Sequence, residues 1–387
     1  MRDNYAVSIV VPTHNRSRYA ISCLQSLLSI RGDIEILFHD TSNDECELRQ
    51  FVSAVTDPRL TYIHHPDRLS MTANHEAALE HAKGEYVCLI GDDDSVLESV
   101  LDAVELARRN NSDVVVPVMS ANYSWPDFRT QFYGAAHGGK LYLDRYSGRS
   151  YSVDAAIALE RGLEGAFQGT DGLPKLYHGL VRRVVLDRIR KKLGRVFFGT
   201  SPDMSASVSV CTEIERFLVW DYPVTIPGAS GGSNTGRSAL NRHRGDFKTD
   251  PHMAPFQDVE WDEIVPKFFS VETVWANAAM ETLRRAKPDS LAHFNLNRLY
   301  ALCIIRHRDY RTHVFTAMKR AMMRPELSVS GSRIGREVAR ALGSNGLAKA
   351  KRLIRPTPSG GKTVVGTFEN VHLAQVAMTE LLSRPTS

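Results

Sequence analysis

Three adjacent aspartates, Asp92, Asp93 and Asp94, follow directly on an apolar run in "EYVCLIGDDDSV". Val87, Cys88, Leu89 and Ile90 suit a short strand covered on both faces. Three neighbouring carboxylates repel one another, and each resists burial without a partner. A solvated turn, where Asp is common, tolerates such a triplet. A divalent cation seated at the end of the strand would also tolerate it. In extended chain Asp92 and Asp94 point to the same side. Converging beside a diphosphate, they would hold Mg2+ or Mn2+, hard ions that take oxygen ligands and keep some water. The ion would then cancel the repulsion of the bare triplet.

The surrounding elements decide where those carboxylates point. Apolar runs at 7–11, 34–38, 60–65, 86–90 and 113–118 read as strands, and helical spacing at 18–29, 45–55, 71–82 and 95–109 reads as helices between them. Such alternation means βαβ units and a mostly parallel sheet. Ligands of parallel sheets bind beyond the carboxyl ends of the strands. Pro12, Thr13, His14, Asn15 and Arg16 follow the first strand there, His39, Asp40, Thr41 and Ser42 the second, and the aspartate triplet the fourth. Polar residues therefore collect three times at one edge, which favours the cation seat.

At this point the chain resembles the family 2 glycosyltransferases, which have the GT-A nucleotide-diphospho-sugar-binding fold. "VSIVVPTHNR" looks like the family's opening strand and nucleotide loop, and "ILFHDTSND" resembles its "VVDDGSTD", with Asp40 at the second Asp. "MTANHEAALEHAKGEYVCLIGDDD" resembles its block of an Asn, a GEY strand and a DxD motif, with Asn74 at the Asn. The likeness covers about 5–118 well, continues weakly to about 225 and does not reach the C-terminal part. It implies a metal-dependent, inverting transfer of a sugar from a nucleotide diphosphate, UDP above all, to a hydroxyl of a glycan or lipid-linked acceptor. By that resemblance Pro12, Thr13, Asn15, Asp40, Asn74, Asp92 and Asp93 bind the nucleotide, and Asp94, with Asp92, binds Mn2+ or Mg2+. Asn74 either contacts the nucleotide or pins the neighbouring loops. His39 stands where the family commonly has Asp, which leaves a purine donor open.

Inverting transfer needs a base for the acceptor hydroxyl. The family carries a carboxylate for this far downstream, near the start of a helix, and Asp203 in "GTSPDMSAS" fits that description. An N-capping role for Asp203 is compatible with catalysis, and Asp171 in "GTDGLP" is the competitor. Tyr123, Trp125, Phe132 and Tyr133 form either an acceptor platform or ordinary packing. Two other readings use the same fold: a nucleotidyltransferase, and a nucleotide-sugar-binding scaffold with a degenerate site.

The 387 residues are too many for one ordinary core. The Gly/Ser-rich stretch 227–238 marks the expected boundary between a GT-A domain over 1–232 and a helical, basic region over 233–387, with helical spacing and no strand expected over about 258–355. Hydrophobic residues at 43% and charged residues at 24% are those of a soluble globular protein, and no apolar run is long enough to span a bilayer. The N-terminus reads as a strand rather than a signal peptide. Five scattered cysteines without a CxxC pair indicate neither disulfides nor zinc, so a cytoplasmic setting is expected. "SGGKT" at 359–363 lacks the first Gly and the strand of a phosphate-binding loop. The net charge of +4 conceals 17 Lys and Arg against 4 Asp and Glu between Arg284 and Arg355. A basic tail on an acidic body points to an anionic partner, either the acceptor's phosphate or the inner face of a membrane. Nucleic acid is not expected as a partner.

Overall fold

The structure is a computed structural model. It describes residues 5–43, 47–240, 243–247, 249–250, 253–256, 260–354 and 361–384, with the side chains of 254 and 344–354 left aside. Cys46 lies outside the described residues, and the other four cysteines are free and buried.

The chain opens with β1 (Val7–Thr13), α1 (Ser17–Ser29), β2 (Ile34–Asp40), α2 (Glu47–Ser53), β3 (Leu60–His64), α3 (Met71–Glu80) and β4 (Tyr86–Leu89). There follow β5 (Ser95–Val96), α4 (Ser99–Arg109), β6 (Val114–Pro117), β7 (Ala121–Ser124), β8 (Lys140–Leu143) and β9 (Ser150–Asp154). Next come α5 (Ala155–Glu164), β10 (Leu180–Arg182), α6 (Arg183–Leu193), α7 (Pro202–Cys211), β11 (Arg216–Trp220), β12 (Thr225–Ile226) and β13 (Gly228–Ala229). After α8 (Asn234–Ala239) and the short strands β14 (Arg244–Gly245) and β15 (Phe269–Ser270), four helices follow: α9 (Val271–Ala286), α10 (Leu296–Arg306), α11 (Arg311–Met322) and α12 (Gly331–Ile354). The described chain closes with β16 (Thr363–Thr367) and α13 (Val371–Leu382).

The fold is mixed α/β. Its main sheet has eight strands in the order β3-β2-β1-β4-β10-β6-β11-β9. β1 to β4 pair in parallel, while β10 runs against both β4 and β6, and β9 against β11. Two antiparallel pairings in succession return β6 to the direction of β4, and β11 runs parallel to β6. Six of the eight strands thus share one direction. β1 and β2 are buried along their whole length, as a strand covered on both faces must be. One face packs on α1 and α4, through Leu24, Leu27, Val100 and Val104. The other joins Val10, Leu37 and Leu89 to a core that continues through Met204 on α7 into Ala278 on α9 and Tyr300 on α10.

Three local expectations change. The helix expected over 95–109 starts only at Ser99, because Ser95 and Val96 pair with β12. Beyond the helix start expected at Asp203 the chain forms a further strand, Arg216–Trp220, which adds to the main sheet. The C-terminal region contains strands after all: β15, inside the stretch read as helical, pairs with β14, and β16 pairs with β8 in a second sheet ordered β13-β7-β8-β16. α13 then packs its buried Val371, Ala374 and Met378 with Leu97 and Trp125 of the N-terminal part. Gly366, a bulge and partial exposure weaken the alternation of β16, which hides it from a periodicity reading.

Candidate functional site

β4 ends at Leu89 and the chain turns through Gly91 into the three aspartates, which are all buried, with 2 to 6% of their surface exposed. The solvated-turn reading is therefore excluded, because each carboxylate is held by specific donors. Asp92 accepts from the Thr13 hydroxyl at 2.6 Å and from Arg16 Nε at 2.7 Å. Asp93 Oδ2 accepts from the Ser230 hydroxyl at 2.6 Å and faces Arg16 Nη2 at 3.0 Å. Arg16 Nη2 also donates to Ser230 Oγ at 2.9 Å, and its guanidinium lies 4.6 Å from the centre of the Tyr19 ring.

Asp94 is the most heavily bonded of the three. The backbone N–H groups of Gly91 and Gly228 donate to it at 2.7 and 2.6 Å, the Tyr177 hydroxyl at 2.8 Å, and His178 Nε2 lies 3.1 Å away. Three of these neighbours crowd Oδ2, while Oδ1 takes only the Gly228 N–H. Gly228 must be glycine here, since a Cβ would fall 1.8 Å from the Asp93 carbonyl oxygen. His178 sits at a φ of 58°, an uncommon conformation for a non-glycine residue. The stretch 227–238, expected as a flexible boundary, thus supplies two of the groups that hold the aspartates.

The electrostatics follow from this layout. Burial pushes the Asp93 carboxyl up to about 7, against the pull of Arg16 and with the help of its like-charged neighbours. Burial raises Asp92 as well, opposed by Arg16 and Thr13. For Asp94 burial acts in the same sense, but His178 and the two backbone N–H groups outweigh it and hold the group below its ordinary value. The carboxylates of Asp92 and Asp93 raise the pKa of Arg16 despite its burial.

A divalent ion needs open oxygen atoms. Among the described residues no three His, Cys, Asp or Glu side chains are grouped to hold one. Mg2+ or Mn2+ on a diphosphate typically uses only one or two carboxylates, with water and phosphate oxygens completing the shell. Among the described residues Asp93 Oδ1 accepts no hydrogen bond, and Asp92 holds one donor on each oxygen. Asp93 and Asp92 therefore fit such an ion. Asp94, expected as the direct ligand, has Oδ2 crowded by three contacts but Oδ1 with a single donor, the Gly228 N–H, as each oxygen of Asp92 has.

The remaining predicted residues gather at the same edge. Asn74, in the first turn of α3, donates to the Thr13 carbonyl at 3.1 Å and contacts His39 Nδ1 at 2.6 Å, so it pins the loops after β1 and β2. Pro12 and Thr13 are buried and pair with His39 and Asp40 across the strands. Asp40, fully buried, accepts from the Ser42 N–H and from the Tyr62 hydroxyl, both at 2.8 Å. Asn15, at a φ of 53°, donates its N–H to Ser42 Oγ at 2.6 Å. Burial lowers the pKa of His39, so the ring that replaces the usual carboxylate is neutral near pH 7.

Asp203 occupies the first turn of α7, where it accepts from the Ser201 hydroxyl. It caps no backbone N–H: the N-cap is Ser201, which makes no side-chain capping bond. A groove of about 530 Å3 runs beside this segment, lined by Ser70, Thr72, Glu76, Phe197, Gly199 and Glu281 among others. The Thr72 hydroxyl donates to the Gly199 carbonyl at 2.8 Å and ties α3 to the loop before Asp203. Asp171 lies fully exposed in an ion pair with Lys175. Tyr123 and Trp125 are core residues, the Trp125 indole N–H donating to the Asp93 carbonyl at 2.9 Å, while Phe132 is 81% exposed. No single platform of these aromatics exists.

Sequence reasoning listed Arg16 at the strand edge without a role and missed Tyr177, His178, Gly228 and Ser230. The three carboxylates implied a countercharge, and "PTHNR" held the nearest cation. Nothing local connects Tyr177 or Ser230 to residues 83 and 137 positions away.

The structure thus has a mostly parallel α/β sheet with a carboxylate cluster at the carboxyl edge of its strands. Residues 8–151 match the family model described as Glycosyl transferase family 2. WcaA of Escherichia coli (strain K12), named as a colanic acid biosynthesis glycosyl transferase, is 39% identical over 98 residues, 24% of this chain and 34% of that protein. Glycosyltransferase GlyG of Streptococcus pneumoniae is 25% identical over 134 residues, 33% of this chain and 43% of that protein. The chain thus spans less than half the length of these relatives. Among solved structures, S. aureus TarS 1–349 in complex with UDP-GlcNAc aligns over 86% of this chain and 89% of that one, with a TM-score of 0.47 and 13% identity.

Proposed function

We propose that the protein is a glycosyltransferase that moves a sugar from a UDP-sugar to a hydroxyl group of a glycan or lipid-linked acceptor, with inversion at the anomeric carbon. The observation that carries this reading is the buried Asp92–Asp93 pair, bridged by Arg16 and open at Asp93 Oδ1, at the carboxyl edge of β4. The loops after β1 and β2, pinned by Asn74, form the adjoining nucleotide seat.

Asp203 takes the proton of the acceptor hydroxyl as its oxygen attacks the anomeric carbon. The bond from that carbon to the donor phosphate breaks, and its electron pair leaves with the nucleoside diphosphate. Mn2+ or Mg2+, held by Asp93 and Asp92, supplies positive charge to the departing diphosphate when bound. Arg16 keeps the two carboxylates together and counters their charge.

Calorimetric titration of UDP, GDP, CDP and ADP, with and without Mn2+, tests this reading on wild type and on Asp93→Ala. UDP binding that needs Mn2+ and disappears in the variant is expected. If no nucleotide binds in the presence of the metal, the proposal fails and the scaffold reading takes its place.

A further inference from the structure

The charge asymmetry of the chain has a structural address. α11 packs Val314, Ala317 and Ala321 inward and turns Arg311, Phe315, Lys319 and Met322 outward at successive helical intervals. Phe315 is 53% exposed, Met322 44% and Met323, just past the helix end, 68%. Soluble surfaces usually scatter such side chains singly, whereas these three lie on one helix face. Between them stand Lys319 and Arg320, and α11 contains no acidic residue. None of Arg311, Lys319 and Arg320 forms an ion pair among the described residues. α12 adds Arg333, Arg336 and Arg340, all exposed.

We infer that the outer face of α11 docks the protein on an anionic membrane surface, with Phe315, Met322 and Met323 entering the headgroup region and the cations on lipid phosphates. A nucleic acid would satisfy Lys319 and Arg320 but leave three apolar side chains with nothing to bury them. A bilayer interface satisfies both, as amphipathic helices with basic polar faces do. No described helix is long and apolar enough to cross a membrane, so contact through this face would be peripheral. The inference goes beyond the transferase reading and does not depend on it, since docking needs neither nucleotide nor Asp203.

The test is co-sedimentation of the full chain with vesicles of phosphatidylcholine alone or mixed with phosphatidylglycerol. Partition into the anionic vesicles at least roughly tenfold above the neutral ones is expected, and it should weaken with salt. Phe315→Ser/Met322→Ser/Met323→Ser should lower that partition by roughly tenfold or more, and Lys319→Glu/Arg320→Glu should do the same. Both variants change only exposed residues and should keep the wild-type circular dichroism and melting temperature. Partition into neither vesicle, or partition that both variants leave intact, overturns the inference. So does vesicle-free self-association through this face, or tighter binding to an RNA oligomer that the charge variant alone abolishes.

Discussion

Two buried carboxylates, one in each half of the molecule, meet cations and end in opposite states. Asp93 in the sheet domain faces Arg16, while Glu272 at the start of α9 faces Arg306 at 2.8 Å and His307 at 2.7 Å. Burial works against the charge of both. At Glu272 the hydrogen bonds from the His307 ring and the Arg306 guanidinium overcome it, and the group is held at about 2. At Asp93 one guanidinium is shared with Asp92, Asp94 stands close by, and burial wins, leaving the group at about 7. Glu272 is a finished ion pair that joins α9 to the end of α10. Asp93 is an unfinished one, short of positive charge, which is the condition expected of a site awaiting a charged ligand.

Several experiments would break or sharpen this contrast. Asp203→Asn should reduce turnover by roughly 10²- to 10⁴-fold, the range for loss of a general base, with UDP affinity unchanged. Equal losses of affinity and turnover would instead place Asp203 in donor binding. Glu272→Ala strands His307 and Arg306 and should cost about 3 kcal/mol in urea unfolding, as expected for breaking a buried pair. Asp93→Asn should by contrast leave stability unchanged or raised at pH 8. A large loss of stability there would mean that the pair with Arg16 is as complete as the one at Glu272.

pH separates the two sites further. Glu272 binds its proton less readily in the folded state than in the unfolded one, so its stabilisation is present above about pH 4.5 and fades as pH falls toward 2. Asp93 binds its proton more readily when folded, so its contribution is fullest below about pH 4 and is lost as pH rises through about 7. Melting curves from pH 3 to 8 should therefore lose their acid slope in Glu272→Gln and their decline toward neutrality in Asp93→Asn. Arg16→Met should show a melting temperature that Mn2+ raises more than in wild type, because the ion replaces the missing charge. The smallest effect belongs to Tyr177→Phe, which removes one of the donors to Asp94 and should cost about 1 kcal/mol.

The strand-and-helix order over residues 5–118 was legible in the sequence because the signals are local. Buried parallel strands read as apolar runs, helices as a spacing of three and four, and the polar loops fall at the strand ends. The same rule placed Thr13, Asp40 and the aspartate triplet at one edge. Asn74 and Asp203 were named through the family likeness, Asp203 also by its position at a helix start.

What the sequence by itself determined, then, is the sheet's order of elements, the edge at which chemistry collects, and a cluster of carboxylates in want of positive charge. Only the tertiary structure decided which carboxylate stays open. Tyr177 and His178 reach Asp94 Oδ2, and Gly228 its Oδ1, from distant segments, while Arg16 divides itself between Asp92 and Asp93 and one oxygen of Asp93 accepts no hydrogen bond among the described residues. Hydrogen-bond saturation depends on where chains cross in space, and no local pattern in the sequence encodes that crossing.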